Sequence, residues 1–243
     1  MTYCVGLRLA NGLVFMSDTR TNAGVDNIST FKKMYTWEVP GERFIVLMTA
    51  GNLATTQTVV SMIEEHTKAA ADRESSILKV PSMFEAASLI GRTLRQVIAD
   101  ASAGGPDAES RFGATMILGG QLADGETRMF LIYPQGNFIE ASEDTPFFQI
   151  GETKYGRPIL VRAYNRHMST EEATKLLLVS FDSTIKANLS VGLPLDMVTY
   201  EHDSLEMGVS RRIEADDPYY QMISSNWGEA LRTAFNSLDD PVF

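Results

Sequence analysis

Apolar positions along the first fifty residues have the spacing that is typical of β-strands. Strands are predicted over Thr2–Leu9 and Leu13–Ser17, and the Asn11-Gly12 pair between them is a strong signal for a tight hairpin. The segments "KKMYTWEV" and "RFIVLMTAG", separated by "PGE", predict two more antiparallel strands. The chain is therefore expected to form four strands before its first helix.

The pattern then changes to that of amphipathic helices. The segments "NLATTQTVVSMIEEHTKAA" and "PSMFEAASLIGRTLRQVIADASA" each carry apolar side chains along one helical face. Ser82 and Glu85 have the spacing of a capping box, which predicts that the second helix starts at about Met83. A pair of helices thus follows the first strands.

Strand patterns return in "FGATMILGGQL", "TRMFLIYP", "NFIEAS" and "FFQIG". A short helix is predicted around "YGRPILVRAY", and a longer one from Thr170, where Ser169 and Glu172 have capping-box spacing. The segments "LDMVTYEH" and "GVSRRIEA" are predicted as edge strands, and a last helix is predicted from about Pro218. This order predicts an α+β fold in which two antiparallel sheets pack face to face with helices outside, a four-layer αββα sandwich.

Composition narrows the class of protein. The chain has 243 residues without an internal repeat or a linker, and we expect a single domain over residues 1–243. A formal net charge of -10 argues against nucleic acid and anionic membranes as partners. Neither a signal peptide nor a run of eighteen apolar residues is found, so we expect a cytoplasmic protein.

Cofactor and metal chemistry have no support in the sequence. Cys4 is the only cysteine, which excludes an intrachain disulfide and a thiolate metal cluster, and we expect it to pack as a small apolar residue. The three histidines are scattered, and no HExxH, Walker or GxGxxG motif is present. We therefore expect no metal and no cofactor.

The remaining candidate chemistry lies at the N-terminus. Methionine aminopeptidases remove Met before a small residue, and Thr2 is small enough to allow a mature chain that starts there. Its α-amine, with an ordinary pKa of about 7.7–8.0, is then a suitable general base for its own hydroxyl. A buried lysine lowers that pKa, and a carboxylate keeps the lysine charged, which are the roles that Lys33 and Asp18 suit.

Strand order brings these residue types to one place. Asp18 ends the strand that returns to the level of Thr2. Lys33 opens the third strand and reaches the same end of the sheet if that strand lies beside the first two. Each residue also has a structural explanation, since Asp is common at strand ends and paired lysines are usually solvated. From the residues alone, both interpretations remain open.

Several segments carry a resemblance to a known family. "TYCVGLRLANGLVFMSDTR", "FKKM" and "LMTAGNLA" resemble the proteasome-type peptidases, and the resemblance extends over the whole chain. "SDTRTNAGVDNISTFKKM", "QIGETKYGRPIL", "FDSTIKANLSVGLPLDMV" and "YYQMISSNWGEALRTAF" are most similar to Anbu, the bacterial ancestral β-subunit branch of that family. The resemblance implies an N-terminal nucleophile hydrolase fold and hydrolysis of peptide bonds.

The resemblance also implies roles for single residues. The Thr2 hydroxyl attacks a carbonyl, its amine relays the proton, Lys33 tunes that amine and Asp18 orients Lys33. Matching "VLMTAG" to the glycine-rich segment of the family makes the backbone N–H of Met48 the expected oxyanion donor. By position, three further residues are expected to contact an extended peptide substrate: Arg20, Asn22 and Thr49.

Two positions depart from the pattern of the family. Glu152 stands in "QIGETKYG" where a serine is expected, and a carboxylate there would raise the pKa of the amine. In "KANLSVG", Ser190 matches the expected serine, whereas Ala187 stands where an aspartate is expected. Asp182 and Ser183 are nearby polar alternatives.

The resemblance finally implies partners. We expect a homo-oligomer, either a ring or a helical assembly, and a peptide or unfolded protein as substrate. Ala86, Ala87 and Leu89 are expected to be exposed and to pack against a neighbouring subunit. Any ATP-dependent unfoldase would be a separate protein. The alternative is a catalytically weak assembly protein that keeps the fold and has a binding role.

Overall fold

The structure is a computed structural model that describes residues 2–22, 28–68, 76–102 and 111–243. In the first part of the chain, six strands precede the helices: β1 Tyr3–Leu9, β2 Gly12–Asp18, β3 Arg20–Asn22, β4 Ile28–Thr30, β5 Met34–Val39 and β6 Arg43–Gly51. Two helices follow, α1 Leu53–Lys68 and α2 Met83–Ser102.

The second part repeats this order with strands, helices and a final hairpin. The strands are β7 Ala114–Leu122, β8 Arg128–Ile132, β9 Phe138–Glu140, β10 Phe147–Gly151, β11 Leu195–Glu201 and β12 Ser210–Ile213. The helices are α3 Arg157–Ala163, α4 Thr170–Ala187 and α5 Pro218–Asn236. None of the helices in the described ranges is long and apolar enough to cross a membrane.

Ten of these strands form two antiparallel five-stranded sheets. The first sheet has the order β10-β1-β2-β11-β12, and the second has the order β5-β6-β7-β8-β9. The short strands β3 and β4 pair only with each other. The first sheet therefore combines the N-terminal hairpin with strands from the second half of the chain.

Alternating side chains build three apolar layers around the two sheets. In β1, Tyr3, Val5 and Leu7 belong to the apolar layer shared with α3, α4 and α5, whereas Cys4 belongs to the layer between the sheets. The helices α1 and α2 cover the outer face of the second sheet. This confirms the predicted four-layer αββα sandwich.

The structure corrects three expectations about the elements. Six strands precede α1 instead of four, because the pattern did not reveal the three-residue strands β3 and β4. β5 pairs with β6 in the second sheet and does not lie beside β1 and β2. β11 is an interior strand that pairs with β2 and β12. Of the two segments predicted as edge strands, only β12 lies at an edge of the sheet.

The helix starts follow the predicted caps. Ser169 and Glu172 form a complete capping box at the start of α4. At α2, the backbone N–H of Glu85 donates to the Ser82 hydroxyl at 3.1 Å. The expected exposure of Ala86, Ala87 and Leu89 is wrong, however, because this face of α2 packs on the second sheet and buries all three.

Candidate active site

The backbone of the first strand is held firmly at Thr2. The N–H of Glu152 donates to the Thr2 carbonyl oxygen at 2.6 Å, which extends the pairing of β1 with β10. Gly151 has φ +83°, and a Cβ atom there would lie 1.9 Å from the same carbonyl oxygen. Because only glycine fits this conformation and this close approach, the end of β10 positions Thr2.

Asp18 and Lys33 meet at the same end of the sandwich. Asp18 ends β2 in the first sheet, and Lys33 directly precedes β5 in the second sheet. The Lys33 ammonium lies 2.8 Å from Asp18 Oδ1 and donates to the Arg20 carbonyl oxygen at 2.5 Å. Both charged side chains are almost completely buried, so this pair links the two sheets at the site.

Asp18 also connects the site to two backbone segments. Its Oδ1 accepts the N–H of Tyr3 at 2.9 Å, and its Oδ2 accepts the N–H of Gly192 at 3.4 Å. Burial raises the pKa of Asp18, while Lys33 and the two backbone donors act in the opposite direction. The carboxylate is therefore fixed between β1, Lys33 and the loop after α4.

A cavity of about 500 Å³ opens beside these residues. Thr2, Lys33 and Gly151 line one part of it. The remaining walls come from strand ends, loops and the first turn of α1: Thr21, Lys32, Thr49, Ala50, Gly51, Leu53 and Thr56. The predicted nucleophile, the predicted lysine and the predicted contact Thr49 thus share one cavity.

The end of β6 contributes backbone groups to this cavity. The N–H of Thr49 donates to the Lys33 carbonyl oxygen at 2.9 Å. Backbone N–H groups two residues apart in a strand point to the same side. The N–H of Gly51 therefore points to the same side of β6 as that of Thr49, beyond the first residue of β5. Among described residues, no hydrogen bond of Gly51 to the segment before β5 occupies this N–H. The described part of the chain thus leaves this N–H available to a ligand in the cavity.

Glu152 takes part in a separate network. Its Oε1 accepts the N–H of Lys154 at 3.0 Å, and its Oε2 accepts the side-chain amide of Asn188 at 2.9 Å. The Asn188 side-chain oxygen in turn accepts the N–H of Ser190 at 2.9 Å. Asn188 therefore ties the Ser190 loop to the residue that holds the Thr2 backbone.

Several predicted residues do not line the cavity. Met48 is fully buried in the layer between the sheets. The Arg20 guanidinium donates to the Leu189 carbonyl oxygen and packs on Gly192, so only its backbone carbonyl reaches Lys33. The side chain of Asn22 lies outside the described residues.

The polar alternatives on α4 belong to the helical layer. Asp182 is buried, accepts the Tyr220 hydroxyl at 3.3 Å and pairs with Lys186 at 3.0 Å. It therefore joins α4 to α5, and neither Asp182 nor its neighbour Ser183 lines the cavity. A larger cavity of about 620 Å³ between α3, α4 and α5 also contains none of the predicted site residues.

Sequence reasoning did not assign a role in the site to several residues that contribute to it. Thr21 lies in the short strand β3, which the apolar pattern did not reveal, and Gly51 was not singled out. Gly151 carried a signal, since a glycine ending a strand often marks a close backbone approach. Nothing in the sequence marked Asn188, because its contacts to Glu152 and Ser190 depend on tertiary structure.

The fold defines a class of protein, those with the two-sheet sandwich of the N-terminal nucleophile hydrolases. The family model described as "Proteasome subunit" matches residues 2–199. The chain therefore belongs to the proteasome subunit family. No match is found among the curated proteins.

Solved structures of Anbu proteins are similar over nearly the whole chain. An Anbu (Gly-1) mutant from Hyphomicrobium sp. strain MC1 is 48% identical with a TM-score of 0.93, covering 100% of both chains. Anbu (ancestral beta-subunit) from Yersinia bercovieri is 46% identical with a TM-score of 0.92, covering 99% of this chain and 100% of that one. A helical assembly of the Anbu complex from Pseudomonas aeruginosa is 45% identical with a TM-score of 0.92, covering 99% and 98%.

Proposed function

We propose that the chain is a threonine peptidase of proteasome type with Thr2 as nucleophile. The observation that supports it most is the buried ion pair of Lys33 and Asp18, which reaches the cavity that Thr2 also lines. A buried charge pair contributes little net stability compared with apolar residues of the same size. A role in tuning the Thr2 amine explains its presence at this position.

The proposed reaction begins with removal of Met1, which frees the Thr2 amine. This amine accepts the hydroxyl proton while the Thr2 oxygen bonds to the carbonyl carbon of the substrate. The proton then passes to the leaving nitrogen as the peptide bond breaks, and the N-terminal fragment remains as an ester on Thr2. Water, deprotonated by the amine, attacks the ester carbon, and cleavage of the C–O bond releases the acid and restores Thr2.

The surrounding groups have distinct roles in this proposal. The Lys33 ammonium lowers the pKa of the Thr2 amine by repulsion between like charges, and Asp18 fixes Lys33. The N–H of Gly51, which points to the cavity side of β6, stabilises the oxyanion better than the N–H of Met48 in the buried layer. Glu152, Asn188 and Ser190 position the Thr2 backbone.

Assembly, partners and location form a further part of the proposal. The helical assembly of the similar Anbu complex supports a homo-oligomer, in a ring or a helix. An exposed apolar stripe at the C-terminus, formed by Leu231, Phe235 and Leu238, supports contacts between copies. We propose peptides or unfolded proteins as substrates, delivered in the cytoplasm with or without a separate ATP-dependent unfoldase.

A second candidate function is a catalytically weak assembly protein with a binding role. It is favoured by Glu152, whose carboxylate is held by Lys154 and Asn188 and supplies no hydroxyl to support the Thr2 amine. In that case the protein binds its partners through the fold and the exposed apolar stripe of Leu231, Phe235 and Leu238.

One labelling experiment separates the two functions. An epoxyketone peptide reacts with both the hydroxyl and the amine of an N-terminal threonine. We expect the adduct to map to Thr2 by mass spectrometry, to be lost in Thr2→Ala, and to persist in Thr58→Ala, which changes an exposed threonine of α1. Lys33→Ala should lower the hydrolysis rate at least about a hundredfold.

N-terminal sequencing of the same sample gives the necessary control. A chain that starts at Thr2 and is neither labelled nor active on a peptide library would contradict the peptidase and favour the assembly protein.

A further inference from the structure

Of the residues that the structure describes, two charged side chains line the cavity beside Thr2, and both are lysines. Lys33 is buried, and Asp18 offsets its charge at 2.8 Å. Lys32 is exposed, and it takes part in none of the ion pairs formed between described residues. On a chain with a net charge of -10, this leaves a local positive charge at the cavity.

Tyr35 holds Lys32 in place. The Lys32 ammonium lies 5.2 Å from the centroid of the Tyr35 ring, and the Tyr35 hydroxyl donates to the Lys32 carbonyl oxygen at 2.9 Å. A cation–π contact leaves the ammonium charged and its N–H groups available to a ligand. Burial raises the pKa of Tyr35, and the charge of Glu64 adds to this. The ion pairs between described residues include none of Glu64 with Lys32.

The other walls suit a side chain with an aliphatic stem and a polar end. Ala50 and Leu53 supply apolar surface, and Thr21 and Thr49 supply hydroxyls. The helix α1 begins at Leu53 without an acidic residue in its first turn, so the partial charge at its N-terminus has the same sign as Lys32. Among the described residues, no carboxylate lines the cavity to oppose them.

We propose that this cavity selects substrates with glutamate or aspartate on the acyl side of the cleaved bond, and that Lys32 recognises the carboxylate. This inference rests on the proposed peptidase function. A carboxylate that enters the cavity forms charge-assisted hydrogen bonds with Lys32, whereas a lysine or arginine is repelled by the uncompensated ammonium of Lys32. Lys32 acts only on specificity and takes no part in the proton transfers at Thr2.

The test compares matched peptides that differ only in glutamate or glutamine at this position. For the unmodified protein we expect kcat/KM to be about tenfold or more higher for the glutamate peptide. Lys32→Met should reduce this ratio to near one, and Lys32→Glu should reverse it and favour a lysine peptide. Lys68→Met, which removes an exposed lysine from the far end of α1, should leave the ratio unchanged.

A binding measurement gives a readout that does not need catalysis. Calorimetry with Thr2→Ala should show tighter binding of the glutamate peptide than of the glutamine peptide, and Thr2→Ala combined with Lys32→Met should abolish the difference. If glutamine peptides are cleaved and bound as well as glutamate peptides, the specificity inference is wrong and the peptidase stands. If no peptide is cleaved but the glutamate preference persists in binding, the peptidase fails and acidic recognition remains.

Discussion

At the scale of single residues, the candidate site depends on one buried ion pair. Asp18 receives three hydrogen bonds, from Lys33, Tyr3 and Gly192, which come from three different segments of the chain. Removing one partner of a buried pair leaves an uncompensated charge, which is more costly than removing both. The pair therefore makes the local structure sensitive to single substitutions.

We expect Asp18→Asn to lower the free energy of unfolding by about 3–5 kcal/mol, because it leaves the Lys33 ammonium buried without a countercharge. The double variant Asp18→Asn with Lys33→Met should recover more than half of this loss. Chemical denaturation of the three proteins measures both effects. Equal losses in the single and double variants would show that the pair is not coupled in this way.

At the scale of elements, two strand ends from different sheets form the site. β10 ends at Gly151 against the Thr2 carbonyl oxygen, and β6 ends at Gly51 beside the same cavity. The positive φ of Gly151 lets the chain turn at the end of β10, directly opposite the start of β1. A side chain at this position would displace Thr2 from its place in the cavity.

We expect Gly151→Ala to reduce labelling of Thr2 at least tenfold and to destabilise the fold by more than about 2 kcal/mol, because a positive φ and a clash act together. Gly41→Ala is the matched control, since Gly41 has φ +74° but a Cβ there meets nothing within 4 Å. It should cost only about 1 kcal/mol and leave labelling unchanged. Thermal unfolding and adduct mass measure the two variants side by side.

At the scale of the whole molecule, α5 differs from the other helices in its apolar exposure. Its first turns bury Tyr220 and Ile223, but Phe235 remains 74% exposed and Leu238, just beyond the helix, 71%. Leu231, Phe235 and Leu238 are spaced so that they share one face. An exposed patch of this kind is typical of surfaces that contact another protein.

We expect Phe235→Glu to weaken self-association at least tenfold, because burying a phenylalanine contributes about 1.5–3 kcal/mol and a buried glutamate opposes the contact. Native mass spectrometry across a dilution series measures the shift toward smaller species. Val161→Glu, at an exposed apolar position of α3, is the control. An unchanged mass distribution in Phe235→Glu would remove this stripe from the assembly surface.

The sequence by itself determined the helices and all the strands except the short β3 and β4, since side-chain periodicity and caps such as Ser169 and Glu172 are local signals. Residue type and order also made Thr2, Asp18 and Lys33 the candidate site residues. Only the tertiary structure decided that β5 joins the second sheet, so that Lys33 reaches Asp18 from the facing sheet. The hydrogen bond of Asn188 to Glu152 and the burial of Ala86 and Leu89 likewise depend on the tertiary structure. The physical reason is that strand pairing and face-to-face packing join residues far apart in the chain, which local periodicity does not encode.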